Sequence, residues 1–127
     1  MDAAGFTAWV AGYERAWRSP GTDLLATLFA ADAEYLLSPY AVPVRGLEAI
    51  GRLWEDERDG PDEPFTMTAE VVAFSDDTGV ARVHVAYQAP PREWRDIWIV
   101  RFGADGRAVH FEEWPIGPPG SPRPSGL

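Results

Sequence analysis

The chain predicts an α+β domain in which helices come first and a run of antiparallel strands follows, so that the helices must cover one face of a sheet. Two observations carry this. Up to Trp54, apolar residues recur every three to four positions, as along one side of a helix, whereas from Phe65 onward they recur every second position, as on one face of a strand. At 127 residues the chain is one domain, long enough to bury roughly two-thirds of the surface an unfolded chain exposes.

Phe6, Trp9, Val10, Tyr13 and Trp17 share one helical stripe with Glu14, Arg15 and Arg18 off it, which predicts a helix of about 12 residues stopped by Ser19-Pro20-Gly21. Tyr13 stands mid-stripe, so its hydroxyl needs a backbone carbonyl, an inward carboxyl or a ligand oxygen as partner. Thr22 as N-cap, Asp23 at the positive end of the dipole, and Leu24, Leu25, Leu28 and Phe29 predict a second short helix, broken at Asp32-Ala33. A short strand from Ala33 to Leu37 and a rigid loop through Pro39 and Pro43 come next. Leu47, Ile50, Leu53 and Trp54 form the apolar side of a third helix, with Glu48, Arg52, Glu55 and Asp56 opposite and Gly60-Pro61 as its stop.

In the strand half, Met67, Ala69, Val71 and Ala73 face inward, and after a turn at Asp76-Asp77-Thr78-Gly79 so do Ala81, Val83, Val85 and Tyr87. The stretch from Glu93 to Trp114 is a hairpin around Asp105-Gly106. With those two residues as the turn, Phe102 faces Val109, Val100 faces Phe111 and Trp98 faces Glu113. Away from the turn, the apolar inner stripe then ends in two acids, Asp96 and Glu113, beside Trp98, with Tyr87 expected close to Asp96. The domain spans residues 1–116, and the Pro- and Gly-rich residues 117–127 read as a disordered tail that cannot bury enough to offset its ordering entropy.

A formal charge of −9, from 11 basic and 20 acidic residues, disfavours nucleic acid and anionic membranes as partners. The absence of cysteine removes thiol catalysis and thiolate metal sites. With no signal-like start and no apolar run of about 20 residues, a soluble cytoplasmic protein is expected. His84 and His110 fall on the outer face by parity, no metal-ligand spacing occurs, and no nucleotide-binding or serine-hydrolase motif is present, so neither metal nor cofactor is expected. The six Trp and the aromatic share of 13% point instead to a core or pocket built from rings. Trp9, Trp17, Trp54 and Trp98 read first as core.

Leu28-Phe29-Ala30-Ala31-Asp32-Ala33, followed by Pro43-Val44-Arg45-Gly46-Leu47-Glu48-Ala49-Ile50 and three long strands, resembles the nuclear transport factor 2-like superfamily, and within it the SnoaL-like and ketosteroid isomerase branch. The resemblance implies a cone-shaped, curved antiparallel sheet with three N-terminal helices, and a pocket for an apolar or aromatic small molecule. It implies a role for Tyr13 as the tyrosine donor of the isomerases, whereas Ser38-Pro39 stands where they carry the Asp-Pro base and Asp96 lies two residues before their second acid. Arg95 points away from Asp96, unlike the arginine between acids in limonene epoxide hydrolases. SnoaL-type cyclases use one inward acid, a role open to Asp96.

The resulting expectation is a cofactor-independent cyclase, isomerase or dehydratase with Asp96 as general acid and base, Tyr13 as donor and Glu113 as second acid. The pocket would be lined by Trp9, Trp17, Ser38, Tyr40, Trp54, Met67, Tyr87, Trp98 and Phe111. The alternatives are a noncatalytic ligand-binding domain or a dimerisation domain of the same fold. Val72, Ile97, Ile99 and Trp114, among charged residues on the outer sheet face, predict a homodimer through that face.

Overall fold

Helix α1, Ala3–Arg18, is longer than its apolar stripe predicts because Asp2 caps it, its Oδ1 accepting from the Gly5 N–H at 2.7 Å. The protein is described from a computed structural model covering residues 1–58, 64–88 and 90–121. Phe6, Trp9, Val10, Tyr13 and Ala16 are the buried side of α1.

The second helix is shorter than expected. Helix α2 is the single turn Leu25–Leu28, no side chain caps it, and Phe29 already opens strand β1, Phe29–Leu36. Asp32 is therefore a strand residue and not a helix breaker. Pairing decides the matter: β1 lies parallel to strand β6, Ala108–Ile116, with Phe29 opposite Ala108 and Tyr35 opposite Phe111, a partner far along the chain that local propensity does not register. Strand β2, Val44–Arg45, adds to the other edge of β1, and the Gly46 N–H donates to the Ala33 carbonyl at 2.9 Å before helix α3, Leu47–Glu57. The predicted stop at Gly60-Pro61 lies outside the described residues.

Strands β3, Phe65–Ser75, β4, Thr78–Gln88, and β5, Pro91–Phe102, complete a curved six-stranded sheet of order β2-β1-β6-β5-β4-β3. The sheet is mixed, correcting the all-antiparallel expectation, because β1 and β6 are joined through the rest of the fold and no hairpin constrains their direction. Trp98 opposite Glu113 and Val100 opposite Phe111 occur as the sequence predicts. Nearer the turn the register slips: the Gly103 N–H donates to the Arg107 carbonyl at 2.9 Å, Gly106 takes φ 81°, and Phe102 faces Ala108 instead of Val109. A second irregularity between Val71 and Ala73 leaves Ala73 exposed and turns Phe74 inward onto Phe6, ring centres 5.9 Å apart. Phe6 also fills the space over Gly79, where a Cβ would stand 2.5 Å from its ring.

The core lies between the helices and the inner sheet face, with Phe6, Phe29, Ile50, Val100 and Phe111 fully buried. A buried cation fastens one side of it. The Arg58 guanidinium, just past α3, donates to the carbonyls of Trp17, Ser19 and Gly21 at 3.4, 2.8 and 2.8 Å and lies 5.7 and 5.8 Å from the Trp17 and Trp54 rings. Beyond β6, the Ser121 N–H donates to the Pro118 carbonyl at 3.0 Å, and the rest of the predicted tail lies outside the described residues. Among the described residues no helix is long and apolar enough to cross a membrane.

Candidate functional site

Alternation along β5 turns Asp96 and Trp98 inward, and β6 sets Glu113 opposite Trp98 and Pro115 opposite Asp96, which makes the two acids diagonal neighbours on one face. Helix α1 lays the Tyr13 ring against Trp98 at 4.5 Å, and β1 brings Tyr35 from the far side. The two phenol oxygens are 2.7 Å apart, and each lies 3.3 Å from Glu113 Oε2, so the tyrosines share one carboxyl oxygen. Burial pushes both hydroxyls well above their ordinary 10.0, which keeps them protonated as donors.

Asp96 is 6% exposed. Its Oδ1 has no hydrogen-bond partner, nor do the buried Nε1 atoms of Trp54 and Trp98. Burial pushes the Asp96 carboxyl up to about 7, opposed by smaller pulls from the Trp98 indole and the His84 ring. Glu113 is pushed up to about 8, first by burial and then by repulsion from Asp96, with the tyrosine hydroxyls pulling the other way. With both carboxyls raised and Asp96 repelling Glu113, the pair resists losing both protons near neutral pH.

These groups open onto a cavity of about 310 Å³, near the lower end of the range for small-molecule sites. Tyr13, Asp96 and Glu113 all line it, as do Trp17, Trp54, Met67, Tyr87 and Trp98. Four expected wall residues do not. Trp9 and Phe111 are core residues, 5.8 Å apart ring to ring, with the Trp9 indole N–H donating to the Leu28 carbonyl at 3.0 Å. Ser38 and Tyr40 lie outside the cavity, Ser38 Oγ accepting from the Tyr40 N–H at 3.2 Å while the Tyr40 ring is 98% exposed, because the loop they share leads away to β2. Tyr87 is paired with Arg92 and Val83 with Asp96, so Tyr87 is not the strand neighbour of Asp96, although both line the cavity.

Residues missed at the sequence level include Tyr35, Leu37, Leu53, Phe65 and Trp94. Tyr35 was within reach: Ala33, Tyr35 and Leu37 alternate and are all buried. On the outer face His110 lies between Glu34 at 2.6 Å and Glu112 at 2.8 Å, and His84 meets Glu93 at 2.7 Å. Among the described residues no three His, Cys, Asp or Glu side chains are grouped as a metal site would need.

Because the Tyr13 hydroxyl is satisfied by protein, Tyr13→Phe is expected to lower stability by about 1 to 3 kcal/mol in a urea titration. A neutral result would mean that Tyr35 takes over the Glu113 bond at no cost.

A family model described as the SnoaL-like domain matches residues 10–111. No curated protein sequence matches significantly. Among solved structures, an NTF-2 like protein of unknown function from Burkholderia xenovorans LB400 is similar with a TM-score of 0.72 at 15% identity, covering 96% of this chain and 91% of that one. SalBIII, an epoxide hydrolase/cyclase-like enzyme with a role in pyran ring formation in the polyether salinomycin, superposes with a TM-score of 0.71 at 11% identity, covering 87% and 89%. A computationally designed 17-OHP binder gives 0.69 at 17% identity, covering 87% and 89%. At such identities the likeness is one of fold.

Proposed function

From the premise that the chain belongs to the SnoaL-like domain family, within the nuclear transport factor 2-like superfamily, we propose that it is a cofactor-independent isomerase or cyclase acting on a small, largely apolar molecule with a carbonyl group. The observation that carries this is the Asp96 carboxyl, buried with one oxygen unpartnered, on a residue that lines a cavity walled mostly by rings. As a carboxylate, Asp96 takes a proton from a carbon beside the carbonyl and returns it at another position, and its raised proton affinity suits both halves of that exchange near neutral pH. Tyr13 donates to the developing enolate oxygen by turning from Glu113, which Tyr35 continues to hold. The fold likeness to an epoxide hydrolase/cyclase-like enzyme supports the class of chemistry.

Proton NMR of cyclic enones in deuterated buffer tests this directly. The protein should speed loss of the α-proton signal, and Asp96→Asn should not. Exchange no faster than in buffer would sink the acid-base reading.

A noncatalytic binding site is the second reading, favoured by the mutual satisfaction of Tyr13, Tyr35 and Glu113 before any ligand arrives and by the fold likeness to a designed binder. Ligands that raise the melting temperature without proton exchange would identify it. Either reading accommodates a homodimer through the outer sheet face, where Val72 and Ile116 are 47% and 58% exposed and Ile97, Ile99 and Trp114 are half-buried. Light scattering at micromolar concentration should give twice the 14.0 kDa chain mass; a monomer would refute the dimer.

A further inference from the structure

Charge in the cavity is lopsided. Glu57, Asp96 and Glu113 are its acids, while Arg92 is the only basic residue among the described lining residues, its guanidinium lying 4.3 Å above the Tyr87 ring. Between these groups the walls are mostly rings, including Tyr13, Trp17, Trp54, Phe65, Trp94 and Trp98. Ring faces carry negative potential, and a buried carboxylate oxygen without a donor adds to it.

Several of these rings already hold cations elsewhere in the molecule. Arg18 stands 3.8 Å over Phe65, and Arg58 lies beside Trp17 and Trp54. Those guanidinium groups are matched by Glu14 and Glu55, so they do not balance Asp96 and Glu113.

We propose that the cavity binds an organic cation, a quaternary or protonated amine on a compact apolar frame, with the ammonium held between Asp96 and the tryptophan rings. The inference rests on the cavity being the ligand site, as in the acid-base reading, and does not depend on turnover by Asp96. A bound ammonium supplies the counter-charge that lets Asp96 and Glu113 ionise together, so binding releases a proton and strengthens as pH rises through about 8. The titratable and charged groups around the pair are Tyr13 from α1, Tyr35 from β1, Glu57 from α3, His84 and Tyr87 from β4, and Arg92 from β5. Strand β3 contributes only Phe65 and Met67 to the cavity. Of these groups only His84 and Arg92 are basic.

The experiment compares benzyltrimethylammonium, whose charge cannot titrate, with its neutral carbon isostere neopentylbenzene, by tryptophan fluorescence and by calorimetry in buffers of different ionisation heat. The cation should bind about tenfold more tightly than the isostere at about pH 9, lose most of that advantage at about pH 6, and release protons on binding near neutrality. Asp96→Asn should remove most of the preference for the cation, weakening the cation far more than the isostere, with Glu113→Gln as the second variant should the first fold poorly. Equal or tighter binding of the isostere, a cation affinity flat with pH, or no binding of the cation would overturn the proposal. Should the cation fail to bind while enone protons exchange, the acid-base reading survives alone; should it bind with no exchange, this inference survives alone.

Discussion

Asp96→Asn is expected to give a protein that moves no proton yet is more stable than the parent in alkaline solution. Loss of a general acid or base lowers kcat by about 10²- to 10⁴-fold, and the amide keeps the size of the side chain and one acceptor oxygen. The stability gain follows from the position of Asp96, where burial raises its proton affinity above that of the unfolded chain. The folded state then binds more protons than the unfolded state from roughly pH 4 up to about 7, so stability falls with rising pH across that window. A rise from 3.8 to about 7 corresponds to on the order of 4 kcal/mol at high pH, an upper bound because Glu113 shares the effect. Glu113 acts in the same direction and extends the decline to about pH 8. Urea titrations from about pH 4 to 9 should therefore show the parent losing stability more steeply than the variant, which keeps only the decline due to Glu113. A parent whose stability rises across that window would refute the buried, proton-holding pair.

Arg58→Met should cost about 3 to 5 kcal/mol, the largest structural loss expected from a single polar residue here. The side chain is 6% exposed, and its loss takes the guanidinium donor from the carbonyls of Trp17 and Ser19 at the end of α1 and of Gly21 just beyond it. Methionine keeps the apolar stem, so the measured loss reports the guanidinium itself. Arg58→Lys should recover only part of it, because an ammonium cannot span three carbonyls and lie flat beside Trp17 and Trp54. The check is the midpoint of urea unfolding, and a Met variant within about 0.5 kcal/mol of the parent would remove the clamp from the account. The cavity should feel the same change, since Trp17 and Trp54 form part of its wall.

Sequence alone settled what depends on neighbours along the chain. The change of period at Phe65 separated helices from strands, and the β5–β6 pairing put Asp96, Trp98 and Glu113 on one face, because alternation is a local property of an extended backbone. Tyr13 was singled out for the same reason, as a polar group at the centre of an apolar helical stripe. The family resemblance came from short phrases around Phe29 and Gly46, although Phe29 proved to begin a strand.

What only the tertiary structure decided involves partners distant in sequence. Tyr35 meets Tyr13 across 22 positions and Glu113 across 78, and Arg58 reaches back 41 to Trp17. The parallel β1–β6 pairing ends α2 at Leu28, and the irregularities near Val71 and Phe102 exchange Ala73 for Phe74 and Val109 for Ala108 on the inner face. The depth of the cavity separates Trp9 and Phe111, which are packed beneath it, from Trp17 and Trp54, which border it, although all four are aromatic. Periodicity assigns a residue to a face but not to a depth along it, since depth depends on which distant side chains fill the space in front.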